Sequence, residues 1–421
     1  MSDTSESISF LGQVDVKKSI LTDYSGRKID LSAMIKEISL YEDLFSNSLS
    51  GYLLIEDSLD LISTLPLLGQ ELLEIELKTP TLKNKIHHTF YVYKLQHQTI
   101  KKRTQTYMLN FCSKELIHSA NSKVSKHFSG QITDIVTSIF RDPKYLSSDS
   151  TLYIEPTKNS YNFIAPYWTP FETINWLTGK SLNPRGVANY LFFQTNQSFE
   201  YVSVDKLLEA APERDFIFSD IDANTSVGTN GPIEEKYKFV QELDTGVTFD
   251  YLRNLNAGMY ASKLYTIDST TKNINTTTFD YIDDFSKAHH LDKYPLRSDS
   301  LLRKKVSSLY FLHKNNYQHT QFKQQGYDKF FLQRNSLLEQ LNSFKMSIKV
   351  HGRTDIKAGN IITFTIPEMR QLLGNEVDSS AKSSYFSGRY LVTAIRHQII
   401  SGTHTMQMEI VSDSFVKQLL K

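Results

Sequence analysis

The stretch SLYEDLFSNSLSGYLLIEDSLD, Ser39 to Asp60, carries two acidic pairs, Glu42–Asp43 and Glu56–Asp57. Two carboxylates set close together can divide the work of glycoside cleavage, one protonating the leaving oxygen and one acting as nucleophile or base. That division needs one acid in an apolar pocket that lets it keep its proton. These four sit among turn formers instead: Ser46, Asn47, Ser48, Ser50, Gly51 and Ser58. Short polar side chains in such settings cap backbone N–H groups. The expectation is structural: solvated carboxylates at Asp43 and Asp57 that mark the turns after two successive strands, with SNSLSG as the bend between.

Other reactive residue types give no stronger pattern. TGKS at Thr178–Ser181 has the end of a phosphate-binding loop, but the motif needs Gly at position 174, where Ile174 stands. The histidines include adjacent pairs, His87–His88 and His289–His290, whose members would point to opposite faces of a strand, and no H-E-x-x-H occurs. There is no G-x-S-x-G elbow. The single cysteine, Cys112, lies in an alternating strand, the setting of a structural thiol. Asn-x-Ser/Thr triplets at Asn196, Asn224 and Asn275 carry meaning only in a secreted chain. No catalytic, cofactor-binding or metal-ligating residue is assigned.

The elements that would position any site are legible from composition and period. A chain of 421 residues exceeds one core, so several domains are expected. Its aromatic residues are Tyr (23) and Phe (25) far more than Trp (2), which suits pleated, half-buried surfaces. A formal net charge of +1 argues against a dedicated nucleic-acid binder. One cysteine rules out an intramolecular disulfide and points to folding in a reducing cytoplasm. The polar, acidic start MSDTSESISF does not have the signal-peptide pattern, and no apolar run approaches the roughly 18 residues of a membrane span.

Strict alternation in LLEIELKT and TYMLNFCS, with TFYVYKLQ between them and AMIKEISL and GYLLIE before, makes residues 1–115 an antiparallel β-domain. Residues 116–210 read as a small α/β unit. Ile132, Ile135, Val136 and Ile139 recur at helical spacing. Thr169, Pro170 and Glu172 form a capping-box helix start, and NYLFFQTNQSFEYVSV is a hairpin. Residues 222–232 form a loop by composition. Residues 251–339 are a polar insertion of short strands and long loops that ends in a helix with Phe330, Arg334, Leu337, Leu338 and Leu341 on one face. Alternation returns through Met346 and Ile348, Ile362 and Phe364, RYLVTAIRHQI, and Met406 and Met408.

The two β-rich ends resemble each other. YVYKLQHQTIKKRTQTYMLNFCS parallels LVTAIRHQIISGTHTMQMEIVS, with His97–Gln98 matching His397–Gln398 and one deletion in the turn that follows. LGQELLEIELKTP, with Gly69, parallels KAGNIITFTIPE, with Gly359. Two copies of one β-domain follow from this, the second assembled from 211–250 and 340–415.

In order along the chain, ISLYEDLFSNSLSGYLLIEDS, LLGQELLEIEL, YWTPFETINWL, FVQELDTGVTFDYLRNL, IKAGNIITF and SGRYLVTAIRHQI resemble the central baseplate hub proteins of contractile-tailed phages. These are related to the heads of type VI secretion spike proteins. The resemblance implies a β-rich α+β chain with two similar antiparallel, tube-like β-barrels and two smaller α/β insertions. It also implies a homotrimer whose six barrels form a pseudo-sixfold ring between a threefold central spike and a sixfold tail tube or tube initiator. Baseplate wedge proteins are further implied partners. DNA would pass through the lumen without specific binding, and the ring, made in the host cytoplasm, would end in the virion tail. The signature positions carried over are Asp43, Gly51, Asp57, Gly69, His97, Thr169, Glu172, Gly359, Gly388, Tyr390 and His397. The chain ends soon after the last barrel strand, so any needle or wall-degrading domain is expected on a separate chain. The rival reading is a tail-associated carbohydrate-binding or carbohydrate-degrading protein that uses its Tyr and Phe as stacking platforms; it requires a cleft with a close carboxylate pair and an aromatic floor.

Overall fold

The computed structural model describes residues 8–65, 67–219, 232–246, 249–268, 272–297, 306, 308–313, 326–367, 382–383 and 385–418. Nearly all of the loop expected over 222–232, the basic run Arg303–Lys305 and most of the polar stretch 313–325 lie outside the described residues.

Seven strands come from the N-terminal part: β1 (Asp15–Thr22), β2 (Lys28–Asp30), β3 (Ile35–Asp43), β4 (Ser50–Asp57), β5 (Leu72–Lys78), β6 (Lys85–Lys101) and β7 (Thr104–Ser113). The alternation works as read. In β5, Leu73, Ile75 and Leu77 enter a core with Ile38, Leu53, Phe90 and Phe111. Glu74 and Glu76 on the other face meet Lys18 and Lys85. Each such buried aliphatic side chain contributes about 1.5–3 kcal/mol.

The middle of the chain holds β8 (His127–Gln131), β9 (Leu152–Ile154), β10 (Ser160–Ile164), β11 (Tyr190–Gln194) and β12 (Phe199–Ser203). The helix Ile132–Arg141 buries all four of its expected apolar positions. In the helix Pro170–Thr178 the capping box is formed: the Glu172 N–H donates to Thr169 Oγ1 at 3.2 Å, and the Thr169 N–H donates to Glu172 Oε2 at 2.7 Å. Such a cap is worth about 1 kcal/mol.

The remaining strands are β13 (Arg214–Ile217), β14 (Glu242–Asp244), β15 (Ala261–Asp268), β16 (Asn273–Asp280), β17 (Tyr294–Pro295), β18 (Ser308–His313), β19 (Lys345–His351), β20 (Ile361–Thr365), β21 (Gly388–Ile400), β22 (Thr403–Val411) and β23 (Ser414–Phe415). The Thr-rich part of the polar insertion is more regular than its composition suggests, since β16 pairs with all of β15 and β18 adds in parallel. The helix Tyr327–Gln340 buries Phe330 as expected, but its most enclosed stripe is Leu332, Ser336 and Gln340 rather than Leu337 and Leu338. Polar groups are tolerated there because they have partners: Ser336 Oγ donates to the Met259 carbonyl at 2.6 Å. Arg334 ties this helix to the α/β unit through the carbonyls of Ala188 and Tyr190 and the Thr178 hydroxyl.

The largest sheet runs β14-β19-β22-β21-β3-β4-β7-β6-β5-β1-β2, with β20 and β13 branching from β21. Within it one strand order occurs twice. β3-β4-β7-β6-β5 corresponds to β14-β19-β22-β21-β20, and the registers agree: Ile38 opposes Leu53 as Leu243 opposes Ile348. Both long strands carry a bulge at the same place, between Val92 and Lys94 and between Val392 and Ala394. The turns before β5 and β20 are built alike. Glu71 accepts from the N–H of Leu68, and Asn360 accepts from the N–H of Lys357, in each case from three residues back. Gly69 (φ +85°) and Gly359 (φ +91°) supply the left-handed residue of each turn.

The correspondence differs from the sequence alignment by one residue. β6 has a second bulge between Gln96 and Thr99 that β21 lacks, and both hairpins close with two-residue turns. The length difference therefore lies in the strand, not in the turn. Gln98, which pairs its side chain with Gln105, is the counterpart of His397, which pairs with His404. His97 is the extra residue, exposed and left-handed (φ +55°). A second difference is direction: β1 joins β5 antiparallel, whereas β13 joins β20 parallel.

Candidate functional site

The two corresponding parts of the sheet meet where β21 pairs with β3, Ala394 opposite Asp43 through Ile400 opposite Glu37. Because strand side chains alternate, this seam has two faces of different chemistry. On the inner face, Glu42, His397 and His404 are 1%, 0% and 0% exposed. Glu42 Oε1 lies 3.1 Å from His397 Nε2, and His397 Nδ1 lies 3.1 Å from His404 Nε2. Glu42 Oε2 also accepts the Ala358 N–H at 3.1 Å.

A carboxylate only accepts, so His397 Nε2 carries a proton. His397 donates from Nε2 to Glu42, and a single proton lies between His397 Nδ1 and His404 Nε2. His404 Nδ1 has no hydrogen-bond partner among the described residues. Burial, then the neighbouring His397, holds the His404 pKa well below the ordinary imidazole value. The packing leaves no slack, since a Cβ on Gly352 would lie 2.0 Å from the His404 ring.

On the outer face Glu37 collects four donors: Tyr52 Oη at 2.7 Å, Gln398 Nε2 at 2.8 Å, Ser39 Oγ at 2.9 Å and Arg396 Nη2 at 3.1 Å. Burial alone would raise its pKa; the donors hold it below the ordinary value. The seam is thus a zipper of one buried acid–imidazole chain and one charged hydrogen-bond fan. It can hold two parts of a sheet in register, and nothing in it presents a nucleophile to a cavity.

The His404 linkage has a definite sign. The unfolded chain protonates His404 near pH 6.5 and the folded chain does not until far lower, so between those values the unfolded state binds more protons. Stability is fully present above about pH 6.5 and falls as pH drops toward the depressed folded value. Burial acts in the same sense on His88 and His351. His290 acts in the opposite sense: burial pulls it down, but buried Asp413, 2.6 Å away, raises it overall, so its contribution is lost as pH rises through its folded value. Denaturant titrations at pH 8 and pH 5.5 are expected to show lower stability at pH 5.5 in the parent and a smaller drop in His404→Gln. An equal drop in both would remove His404 as the cause.

The acidic pairs of Ser39–Asp60 separate. Asp43 caps the Phe45 N–H at 2.7 Å, and Asp57 caps the N–H groups of Leu59 and Leu61 at 2.8 and 2.7 Å. They lie at opposite ends of the β3–β4 hairpin. The capping role agrees with the residue types, but the expectation of solvated carboxylates holds only for part of the set. Asp57 is buried, where Gln105 and Tyr107 also donate to it, and Glu42 is buried in the seam, because strand closure covers the ends of β3 and β4. Glu56 forms a surface pair with Lys36. Cys112 is buried and its thiol is pushed up to about 11, chiefly by burial, which leaves it protonated. Lys180 of TGKS lies over the Tyr327 ring, lowered to about 8 by burial. Tyr390 is enclosed and donates to the Phe386 carbonyl at 2.7 Å; a Cβ on Gly388 would lie 2.8 Å from Asp292.

Sequence reasoning passed over Glu37, Arg396 and His404. His404 had a signal, since it shares a strand face with Met406, Met408 and Ile410, which marks it as inward-facing. Glu37 and Arg396 had none, because nothing local links residues so far apart. Among the described residues, no group of three or more His, Cys, Asp or Glu could hold a metal ion, and no helix is long and apolar enough to cross a membrane. An open cavity of about 580 Å³ beside β14 is lined by Asp244, Asp250, Arg253, Lys345 and Glu409, with no aromatic side chain among the described residues of its wall.

The overall architecture is that of phage and prophage tail proteins. The tail protein from Neisseria meningitidis MC58 superposes with a TM-score of 0.58 at 9% identity, covering 94% of this chain and 96% of that one. The 43 kDa tail protein of prophage MuSo2 from Shewanella oneidensis gives 0.57 at 9% identity, with 94% and 99% covered. The prophage tail protein gp18 from Listeria monocytogenes EGD-e gives 0.51 at 8%, with 94% and 95% covered. No family model matches the chain, and no curated protein matches its sequence. At these identities the likeness establishes the fold.

Proposed function

We propose that this chain is a non-enzymatic structural protein of a phage tail: the trimeric central hub of a contractile-tail baseplate. The observation that carries the reading is the doubled strand order joined across the β3–β21 seam, with its shared bulge at Val92–Lys94 and Val392–Ala394. A protomer with two similar halves, 1–115 and 211–250 with 340–415, lets three chains present six similar barrel-like units. Such a ring has threefold chemistry and nearly sixfold shape, so it can join a threefold spike to a sixfold tail tube. The α/β unit 116–210 and the insertion 251–339 would decorate the outside. The likeness to tail proteins along more than nine-tenths of the chain supports the setting.

The function of such a hub is interface energy rather than chemistry. An obligate ring of this kind buries on the order of 2,000–5,000 Å² per contact. Mass measurement tests it. The expected species in solution contains three 48.4 kDa chains, whether alone or carrying its spike. A monomer under both conditions would end the hub reading.

A further inference from the structure

The doubled sheet has an asymmetry of coverage. In β21 the first residues pair with β20, while Ala394–Ile400 are flanked by β22 on one edge and β3 on the other. In β6 the first residues pair with β5 in the same way, and Lys94–Lys101 pair with β7 on one edge. Their other edge has no strand among the described residues. At the far end of the sheet β14, the counterpart of β3, pairs with β19 and likewise has a free outer edge among the described residues. One protomer therefore displays both halves of the seam that it uses internally, one on the second half of β6 and one on the terminal strand β14.

Burial follows the same asymmetry. Ile399 is 3% exposed because it crosses the seam and packs into the core of the N-terminal part beside Ile38. Its counterpart by hairpin register is Ile100, which is 75% exposed. The counterpart of Ile38 is Leu243, which packs against the edge of the C-terminal core. An apolar side chain on a free, pairable edge is an aggregation hazard unless a partner covers it.

Resting on the hub reading, we infer that the partner is a second copy of this chain. The Lys94–Lys101 edge of β6 pairs antiparallel with the Glu242–Asp244 edge of β14 in the next protomer, repeating the β3–β21 seam between chains. In that register Ile100 faces Leu243 and Lys101 faces Glu242, an apolar contact beside an opposite-charge pair. The contact is heterologous, head to tail, so it closes only as a ring. The intramolecular seam and the intermolecular ones then alternate around that ring, which makes the sheet continuous.

Cysteines placed at Ile100 and Leu243 test the register, because directly opposed strand residues lie within disulfide reach. Oxidation of the full-length Ile100→Cys/Leu243→Cys protein should give a covalent trimer on a denaturing gel, and neither single variant should cross-link. Ile100→Asp should stay folded, with the parent's far-ultraviolet circular dichroism, since the side chain is exposed in the protomer, yet lose the trimer and the stability that assembly adds. A trimer without the disulfide, or one that survives Ile100→Asp, would overturn this pairing and leave the edge to another tail protein, while the hub reading stands. Dimers from Ile100→Cys alone would mean a two-fold contact and would also overturn it. A parent that is monomeric alone and with its spike would remove the hub reading, and the inference with it.

Discussion

Gly51→Ala is expected to cost more than about 4 kcal/mol, and Gly51→Val is expected to leave no folded protomer. The reason is close approach, not backbone conformation. A Cβ at position 51 would lie 2.2 Å from the Ser39 carbonyl oxygen and 2.5 Å from Phe111 Cζ. Neither neighbour can yield. Ser39 lies on the seam strand under Arg396, and Phe111 is fully buried with its ring 4.6 Å from that of Phe90. The duplicated sheet shows why glycine stands here. In the N-terminal part Gly51 opposes Phe111; at the corresponding place Met346 opposes Ile410. Small against large in one half answers medium against medium in the other, so each core fills its volume. Denaturant midpoints would check this, and Phe111→Leu should partly rescue Gly51→Ala by returning space. An alanine variant within about 1 kcal/mol of the parent would show that the β3–β4–β7 spacing gives way more easily than a packed core does.

Glu42→Ala is expected to cost about 3–5 kcal/mol, the range for breaking a buried charged hydrogen-bond partnership from one side. It strands the His397 Nε2–H and the Ala358 N–H inside the seam. Glu42→Gln keeps one acceptor oxygen and should cost clearly less. Arg396→Ala on the outer face is the control. Its guanidinium is about a third exposed, so its loss is screened and should cost about 1 kcal/mol. Thermal and denaturant unfolding of the three variants gives the ranking. Equal losses for Glu42→Ala and Arg396→Ala would mean that the inner chain contributes no more than surface polar contacts do.

Much of the fold was legible because period reports burial directly. LLEIELKT, TYMLNFCS and the strand with Met406 and Met408 each place one face in a core, and no distant residue can change that parity. The Thr169–Glu172 cap was equally local, since both partners lie within one helical turn. The match between the chain ends was legible as a pattern but one residue out, because sequence identity aligned His97 with His397. A bulge costs the ladder one residue without leaving a mark in composition, and only hydrogen-bond register shows which residue is extra.

The candidate site was mostly invisible for a related reason. Glu42 and Asp43 are neighbours in the chain, yet one enters a buried imidazole chain and the other caps a turn, because adjacent strand residues face opposite sides. Their residue types allowed either fate. Local sequence by itself determined the strands, the caps, the doubled β-pattern and the ordinary charge balance, since each rests on contacts within a few residues. Tertiary structure alone decided that β3 closes on β21, that Glu37 meets Arg396, and that Ile399 is covered while Ile100 is bare. Those outcomes depend on which edges meet in space, and an edge records its own hydrogen-bonding capacity but not the identity of the strand that fills it.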